Sequence, residues 1–427
     1  MSRLSSLKRM LHIQSLPFQD RITEASALIA TLYRGSGDIH RREFAVDGPC
    51  RGSVSNADVR NGTEQVVMFG SNDYLGLSQL AEVKQAALRA VEQFGTSFSG
   101  SPVMNGLNPL HTELERKLAA LKNTQTSVLL PSGFAANLAW VRALVAEHDY
   151  VVADQYGHTS FREAARALPK ARRRFFAHNS IPDLERHLSE IRSDHAGTIF
   201  VFVEGLYSMH GDLPPLPGIL ETCERYGALP VVDDAHGTGT LGPTGRGVFE
   251  HFGIREVPFI VVGTLSKALG AVGGFVACKK DVALAIRANA SSYIFSASLP
   301  PATVAAASAA VDALANHPER LERLRRNIRH AANRLHALGV PKDWQSPIFP
   351  LEVPANSDVT ALVTSVGQGG FFVNGVSFPA VPLEDQRVRV SISSEHTTAQ
   401  IDALADLLER VMASGTPELD VQEARLA

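Results

Sequence analysis

Short apolar runs alternate with longer helical patterns through the middle of the chain. Six runs contain mostly β-branched and other apolar residues and predict strands at 127–130, 150–153, 198–204, 229–233, 259–264 and 274–277. Amphipathic patterns at 135–144 and 215–226 predict helices between them. Strands that are nearly all apolar are typical of a parallel sheet covered on both faces. The pattern therefore predicts an α/β domain with a mostly parallel sheet between helices.

The pattern changes after residue 300. An alanine-rich helix at 300–314 and a charged run at 318–338 precede short strands at 348–353 and 388–391 and a last helix at 398–412. We expect three parts: an N-terminal arm and small-domain segment at 1–68, a large domain at 69–300, and a small α+β C-terminal domain at 301–427. Residues 35–63 are rich in Gly, Arg, Asp and Asn and predict irregular structure. The tail beyond 414 is expected to be disordered.

Charge and cysteine content exclude several classes of protein. The 427 residues carry 41 basic and 44 acidic side chains, mixed along the chain, which argues against binding to nucleic acid or to an anionic membrane. Cys50, Cys223 and Cys278 are far apart and predict neither disulfides nor a metal site. The first 16 residues lack the continuous apolar stretch of a secretory signal or membrane span. We expect a cytoplasmic protein with no stable membrane insertion.

Polar residues collect where the predicted strands end, which is where open α/β sheets bind ligands. After the first strand, Ser132, Gly133 and Phe134 open a helix whose free backbone N–H groups suit a phosphate. Alone, this pattern is more typical of a turn and a helix cap. After the fourth strand come Asp233 and His236, whose spacing could hold a metal. No third ligand stands at metal spacing, so we expect no metal, and a buried ion pair is the plainer alternative.

Lys267 follows the fifth strand, where a single lysine is usually a solvated strand end. Together, however, the strand ends supply every group that a pyridoxal 5'-phosphate site needs. The candidates are Lys267 for the Schiff base, Asp233 for the pyridine nitrogen, His236 and Ser208 around O3', His158 for stacking on the ring, and Ser132, Gly133, Phe134 and Thr264 for the phosphate.

Six motifs spread between about Phe69 and His396 resemble the α-oxoamine synthase family. They read GSNDYLGL from Gly70, SGFAAN from Ser132, EGLYSMHGD from Glu204, VDDAHGTG from Val232, TLSK from Thr264 and FSASLPP from Phe295. This family of fold-type I pyridoxal phosphate enzymes includes 8-amino-7-oxononanoate synthase, 2-amino-3-ketobutyrate CoA ligase, 5-aminolevulinate synthase and serine palmitoyltransferase. The resemblance implies the same fold, with residues 69–300 as the cofactor-binding domain.

The resemblance also implies roles for particular residues. Lys267 would be the Schiff-base lysine, and His158, Asp233 and His236 would complete the catalytic set. Ser296 matches a phosphate contact from the second subunit, which implies a homodimer with shared active sites. Asn72 stands at an acyl-substrate contact. Arg389 stands where the family holds the amino-acid carboxylate.

Three positions depart from the family pattern and concern the substrate. His210 stands where an acidic residue is common, Gly157 replaces the usual aspartate before the stacking histidine, and Ala380 replaces a substrate-side threonine of the oxononanoate enzymes. These differences argue against oxononanoate synthesis. The FSASLPP motif and the later Ser346-Pro347-Ile348 resemble serine palmitoyltransferase more closely, which favours a longer acyl chain.

The resulting hypothesis is an acyltransferase that condenses a small amino acid with an acyl thioester, releases carbon dioxide and yields an α-amino ketone. Lys267 is the expected acid and base for the α-proton. The acyl donor, on coenzyme A or an acyl carrier protein, stays open, as does the amino acid. The alternatives are an aminotransferase on the same fold, a hydrolase that uses Ser266 with Lys267 or a metal, and a non-catalytic partner subunit.

Overall fold

The computed structural model describes residues 12–13, 15–33, 46–47, 53–56, 65–354, 357–377, 381 and 383–413. The strands are β1 Val46–Asp47, β2 Ser53–Asn56, β3 Gln65–Met68, β4 Thr126–Leu130, β5 Tyr150–Asp154, β6 Arg173–Phe176, β7 Ile199–Glu204, β8 Leu229–Asp233, β9 Ile260–Thr264, β10 Gly274–Cys278, β11 Ile348–Glu352, β12 Phe371–Phe372, β13 Asn374–Val376 and β14 Arg387–Ser391. The helices are α1 Phe18–Tyr33, α2 Ala81–Phe94, α3 Pro109–Lys122, α4 Gly133–Leu144, α5 Thr159–Ala165, α6 Ile181–Asp194, α7 Leu216–Arg225, α8 Val248–His251, α9 Lys280–Asn289, α10 Ser291–Ile294, α11 Pro301–Asn316, α12 Pro318–Arg334, α13 Val359–Gln368 and α14 Thr398–Ala413.

The central sheet has seven strands in the order β4-β10-β9-β8-β7-β5-β6. All neighbours are parallel except β10, which runs antiparallel to both β4 and β9. Every residue of β7 is buried; Phe200 and Phe202 belong to one apolar cluster, while Ile199, Val201 and Val203 belong to another. The two clusters lie on opposite faces of the sheet because successive side chains of a strand alternate. The predicted α/β architecture with a mostly parallel sheet is confirmed.

Two smaller sheets join distant parts of the chain. One has the order β1-β2-β3-β12, in which Val67 of β3 pairs in parallel with Phe371 of β12. The other has the antiparallel order β11-β14-β13. The Ser391 N–H at the end of β14 also donates to the Phe69 carbonyl at 2.7 Å. The chain before residue 70 is therefore tied to the C-terminal segment, while the division of the chain into three parts stays a prediction.

Several short strands of the structure, including β6 and the strands of the N-terminal sheet, were not predicted from the sequence. Strand β6 has only four residues and opens with two arginines, so the apolar pattern did not reveal it. The prediction of irregular structure for 35–63 is wrong at β1 and β2, which pair antiparallel with each other; the rest of that segment lies outside the described residues, as does the tail beyond 414. No helix in the described ranges combines the length and apolar character needed to cross a membrane. Cys223 and Cys278 are buried free thiols, whereas Cys50 is not described.

Candidate active site

The carboxyl ends of β7, β8 and β9 bring two carboxylates and an amine together. Glu204 pairs in register with Asp233, so the two acidic side chains end adjacent strands. Lys267 follows β9 by three residues. Burial lowers the pKa of Lys267 to about 8, while Asp233 and Glu204 act to raise it and Arg389 to lower it. At pH 7 about a tenth of this amine is therefore neutral and nucleophilic.

Glu204 belongs to the site, although the sequence analysis assigned no role to it. Burial, with a smaller contribution from the Asp233 charge, raises the pKa of Glu204 to about 8. Its Oε2 accepts a hydrogen bond from the Ser208 N–H at 3.1 Å, and its buried Oε1 has no partner among the described residues. An unsatisfied buried carboxyl oxygen costs free energy unless a donor is supplied, so this atom marks a place for a bound group. One signal in the sequence could have identified Glu204: it ends a predicted apolar strand, as Asp233 ends the next one.

The two consecutive aspartates at the end of β8 have different partners. Asp233 Oδ2 accepts from Asn137 Nδ2 at 2.7 Å, and its Oδ1 accepts from the Ala235 N–H at 3.1 Å. Asp234 instead forms a 2.7 Å ion pair with Lys122, and the two side chains are only 1% and 2% exposed. Asp234 is thereby neutralised within the protein, and Asp233 is the carboxylate left for a ligand.

His158 is connected to Asp233 through two further side chains. Its Nδ1 lies 2.7 Å from Ser160 Oγ, which lies 2.9 Å from Asn137 Nδ2, the same nitrogen that donates to Asp233. His158 caps the N-terminus of α5, and part of the residue remains exposed to solvent although its surroundings are largely protein. The predicted stacking residue is thus held along one edge, while the rest of the ring is open to a ligand.

Tyr74 links His236 to the residues expected to face the substrate. The Tyr74 hydroxyl lies 2.8 Å from His236 Nδ1 and 3.0 Å from Asn72 Oδ1. Burial holds the pKa of His236 well below its usual value, and the charges of Lys267 and Arg389 lower it further. His236 is therefore a neutral hydrogen-bonding group. Tyr74 was missed because a buried tyrosine in GSNDYLGL is equally typical of a core residue.

Arg389 is a buried cation whose partners all lack a formal charge. Its guanidinium donates to Ser208 O at 2.8 Å, Asn72 Oδ1 at 3.1 Å and Ser391 Oγ at 3.3 Å. Among the described residues none of its hydrogen-bond partners is a carboxylate. Because a buried charge needs compensation, this arginine suits an anionic substrate group.

The phosphate candidates meet at the start of α4. Ser132 caps this helix by accepting the Ala135 N–H at 3.0 Å, which leaves its hydroxyl proton for another acceptor. A Cβ built on Gly133 would lie 3.2 Å from Thr264 Cβ, so the helix start and the end of β9 are in close contact. The Thr264 hydroxyl bonds to Gly273 O at 2.9 Å and lies 2.8 Å from Ser266 Oγ. Thr264 has one proton to donate and must release Gly273 O in order to donate it to a phosphate.

Ser296 lies apart from these groups in the described chain. It follows α10 in a segment where Phe295 is 83% exposed, and no described hydrogen bond joins Ser296 to the cluster around Lys267. The structure thus leaves its expected role, in the site of a second subunit, as a prediction. Nor does any group of three metal-binding side chains occur in the described part of the chain.

The positions that depart from the family pattern have local explanations. A Cβ at Gly157 would lie 3.1 Å from the Phe202 ring and 3.2 Å from the Asp154 carbonyl, so an aspartate there requires a shift of its neighbours. His210 stacks on Tyr156 with ring centroids 4.0 Å apart, and burial lowers its pKa to about 4. A neutral aromatic ring therefore replaces an acid at this position. Ala380 lies outside the described residues.

His178 fixes the loop that carries Ser208. Its Nδ1 lies 3.0 Å from Asp154 Oδ1 and its Nε2 lies 2.8 Å from Asp212 Oδ2. Burial acts to lower the pKa of His178, but the hydrogen bonds to Asp154 and Asp212 outweigh it and raise the pKa to about 9. His178 is therefore an imidazolium that joins the end of β5 to the end of this loop.

We expect the contribution of His178 to stability to depend on pH. A folded-state pKa of about 9, above the ordinary value near 6.5, gives a stabilisation that is complete below about pH 6.5 and is lost as pH rises through about 9. The difference in thermal unfolding midpoint between wild type and His178→Gln should shrink across that range. His148→Gln, at a side chain that is 73% exposed, is the control. A difference that is constant from pH 6 to pH 10 would contradict the charged assignment.

Comparison with known proteins assigns the family. The protein-family model described as "Aminotransferase class I and II" matches residues 64–408 of this chain. The chain belongs to this family. It is 37% identical to a serine palmitoyltransferase of Sphingobacterium spiritivorum (84% of this chain, 90% of the relative) and 36% identical to an 8-amino-7-oxononanoate synthase of Thermosipho melanesiensis (82% and 88%). A 4-hydroxy-2,2'-bipyrrole-5-methanol synthase of a Serratia species is 38% identical, but the matching 87% of this chain spans only 57% of that protein.

Solved structures agree with this assignment. An SPT structure with its PLP internal aldimine superposes with a TM-score of 0.85 at 30% identity, covering 92% of this chain and 98% of the other. The Sphingomonas wittichii serine palmitoyltransferase gives 0.83 at 29% identity, covering 92% and 97%. The predicted fold-type I class, α-oxoamine synthase resemblance and pyridoxal phosphate cofactor are confirmed. The residues present fit that cofactor, because an amine of lowered pKa, an available carboxylate and an unpartnered Glu204 oxygen meet at one sheet edge.

Proposed function

We propose that the protein is a C-acyltransferase that joins a small amino acid to an acyl thioester with loss of carbon dioxide, giving an α-amino ketone. The observation that carries this proposal is Lys267, a buried amine with a pKa of about 8 beside the carboxylates of Asp233 and Glu204. Pyridoxal phosphate, when bound, accepts the electron pair left on the amino acid's α-carbon. The relatives named as synthases and serine palmitoyltransferases support this type of reaction.

The residues around Lys267 have proposed roles in holding the cofactor. Asp233 keeps the pyridine nitrogen protonated, and its own orientation is fixed by Asn137 and the Ala235 N–H. The open start of α4 at Ser132, Gly133 and Phe134, together with Thr264, holds the phosphate. His158 would cover the ring of the bound cofactor, and His236 and Ser208 would contact its O3'.

Lys267 is the proposed acid and base at the α-carbon. It would hold the cofactor covalently in the resting enzyme, and its freed amine would remain beside the carbon from which the proton leaves. Its pKa of about 8 lies close to working pH, so it can accept and return a proton without a large free-energy change in either direction. Glu204, whose pKa is also about 8, is a second ionisable group next to Asp233.

Arg389 is the proposed anchor for the amino-acid carboxylate, and Asn72 bonds to the same guanidinium. We expect Arg389→Lys to raise the KM for the amino acid about tenfold, because lysine keeps the charge but loses the two parallel donors. Steady-state kinetics with each substrate varied separately should show little change in the KM for the thioester.

Arg387→Lys is the matched control for this change. Arg387 lies two residues away on β14 and is equally buried, but it donates to the carbonyls of Met209 and Asp385. An Arg387→Lys variant that weakens amino-acid binding while Arg389→Lys does not would transfer the role to Arg387.

An aminotransferase is the second candidate, because the fold, lysine and aspartate are common to both activities. The test is to offer the purified holoenzyme a panel of small amino acids, alone and with acyl thioesters on coenzyme A or on an acyl carrier protein. Release of free thiol and carbon dioxide in equal amounts supports the condensation. Keto-acid formation without thiol release would establish the aminotransferase instead. The same panel identifies the amino acid, the chain length and the carrier.

We also propose that the enzyme acts as a homodimer with shared sites. Phe295 and Met104 are 83% and 80% exposed, which is unusual for large apolar side chains and suits a surface that a second copy covers. Ser296 follows Phe295 directly, so the same contact would carry its hydroxyl toward the partner's phosphate.

A further inference from the structure

The orientation of the Asn137 amide is determined by Trp140. The Trp140 indole N–H can only donate, and it lies 3.1 Å from Asn137 Oδ1. This contact identifies the amide oxygen, so the Nδ2 group must face the opposite side. There its two hydrogens are directed to Asp233 Oδ2 at 2.7 Å and to Ser160 Oγ at 2.9 Å. All four side chains of this connection are buried.

The same reasoning determines which nitrogen of His158 carries the proton. Since Ser160 Oγ accepts from Asn137, its only proton is left for His158 Nδ1, 2.7 Å away. The Ser160 backbone N–H also donates to that nitrogen, at 3.2 Å. Two donors converge on Nδ1, which must therefore present its lone pair. In the neutral ring the proton is then on Nε2.

We propose that Asn137 and Ser160 are positioning residues that hold His158 as the neutral tautomer protonated on Nε2. The catalytic importance of this tautomer rests on the proposed function. They also fix this ring relative to the carboxylate of Asp233. The arrangement has a direct consequence for the substrate. No described residue bonds to Nε2, so its N–H is a free donor for a substrate carbonyl oxygen, such as that of the thioester.

The electrostatic surroundings of His158 agree with a neutral ring. Burial lowers its pKa, and the nearby Lys267 cation lowers it further, while Asp233 acts in the opposite direction. An imidazolium would also have to turn a proton on Nδ1 toward the Ser160 N–H. The hydrogen bonds and the charges therefore select the same form of the ring.

The test reads the tautomer directly from nitrogen NMR of histidine-labelled protein, with and without cofactor. The chain has 15 histidines, so the His158 signals are assigned by their loss in His158→Gln. In wild type we expect Nε2 to carry the proton and Nδ1 to be bare. In Ser160→Ala only the backbone N–H still donates to Nδ1, so the Nδ1 signal should move toward that of a ring nitrogen without a hydrogen bond. A bare Nε2 in wild type, or an unchanged Nδ1 signal in Ser160→Ala, overturns the proposal.

Ser127→Ala is the matched control, because Ser127 is as buried as Ser160 and its hydroxyl donates to the Glu115 carbonyl, away from the connection. It should leave the His158 signals unchanged. A shift equal to that of Ser160→Ala would show a general packing effect and contradict the proposal. Thermal unfolding of both variants checks that each is folded.

Kinetics provide the second measurement and separate this proposal from the proposed function. Ser160→Ala should lower kcat about tenfold, as expected for one lost hydrogen bond to a positioned group, with little change in either KM. An equal loss in Ser127→Ala would count against the positioning role. If wild type consumes no thioester, the proposed function fails, but the NMR result still decides the tautomer in the cofactor-free protein.

Discussion

Lys267→Ala should bind pyridoxal phosphate without a covalent link and lose about a thousandfold or more in kcat. The variant lacks both the amine that attaches the cofactor and the group that moves the α-proton, and acid–base catalysis alone contributes factors of about 10² to 10⁴. Asp233, His158 and the start of α4 remain in place, so the cofactor should still be retained, although more weakly. Absorbance after gel filtration measures retention, and steady-state rates measure the loss.

Borohydride reduction followed by peptide mass analysis is the sharper readout. In wild type the reduced cofactor should remain on the peptide that contains residue 267 after denaturation, and in Lys267→Ala none should remain. Lys280→Ala, at an exposed lysine at the start of α9, serves as control and should behave as wild type. Attachment to another lysine, or undiminished turnover by Lys267→Ala, would show that the amine has been misassigned.

The second large effect is expected for Asp233→Asn, which should keep the covalent link but lose about 10²- to 10³-fold in kcat. A neutral amide no longer holds a proton on the pyridine nitrogen, and removal of one preorganised charge from an active site costs factors of this size. Asp233 also acts to raise the pKa of the free Lys267 amine, so that pKa should be lower in the cofactor-free variant. The pH dependence of Lys267 acylation in the cofactor-free protein measures that shift, and steady-state rates measure the loss of activity.

Asp234 provides the comparison for this variant. It is adjacent in sequence, but its charge is paired with Lys122, and removal of one partner alone would leave a buried unpaired charge. The double variant Asp234→Asn with Lys122→Met removes both charges and should leave the titration of the Lys267 amine near that of wild type. If the double variant alters the titration as strongly as Asp233→Asn, the functions of the two aspartates have been confused.

The sequence predicted the strands of the central sheet and the groups at their ends because buried parallel strands give unbroken apolar runs. Lys267, Asp233 and Glu204 all stand at such ends, so their meeting could be expected from topology. Neither the antiparallel direction of β10 nor the existence of the short edge strand β6 could be predicted from the periodicity of apolar residues. Both depend on how the strands pair in the folded chain.

The supporting polar residues could not be ranked from the sequence. Asn137, Ser160 and Tyr74 have ordinary local explanations as a helix residue, a cap neighbour and a core aromatic. Their importance arises from contacts such as Asn137 to Asp233, which are 96 residues apart. Only the folded chain shows that one amide serves both Asp233 and Ser160.

The hydrogen bond between Arg389 and Asn72 joins residues 317 positions apart, so the substrate side of the crevice depends on nearly the whole chain. At ribosomal rates of about 5 to 20 residues per second, Arg389 is added roughly 15 to 60 s after Asn72. All seven strands of the central sheet, which end with β10 at Cys278, are made before then. A nascent chain therefore contains every strand that carries a proposed cofactor residue before Arg389, the proposed amino-acid anchor, has been made.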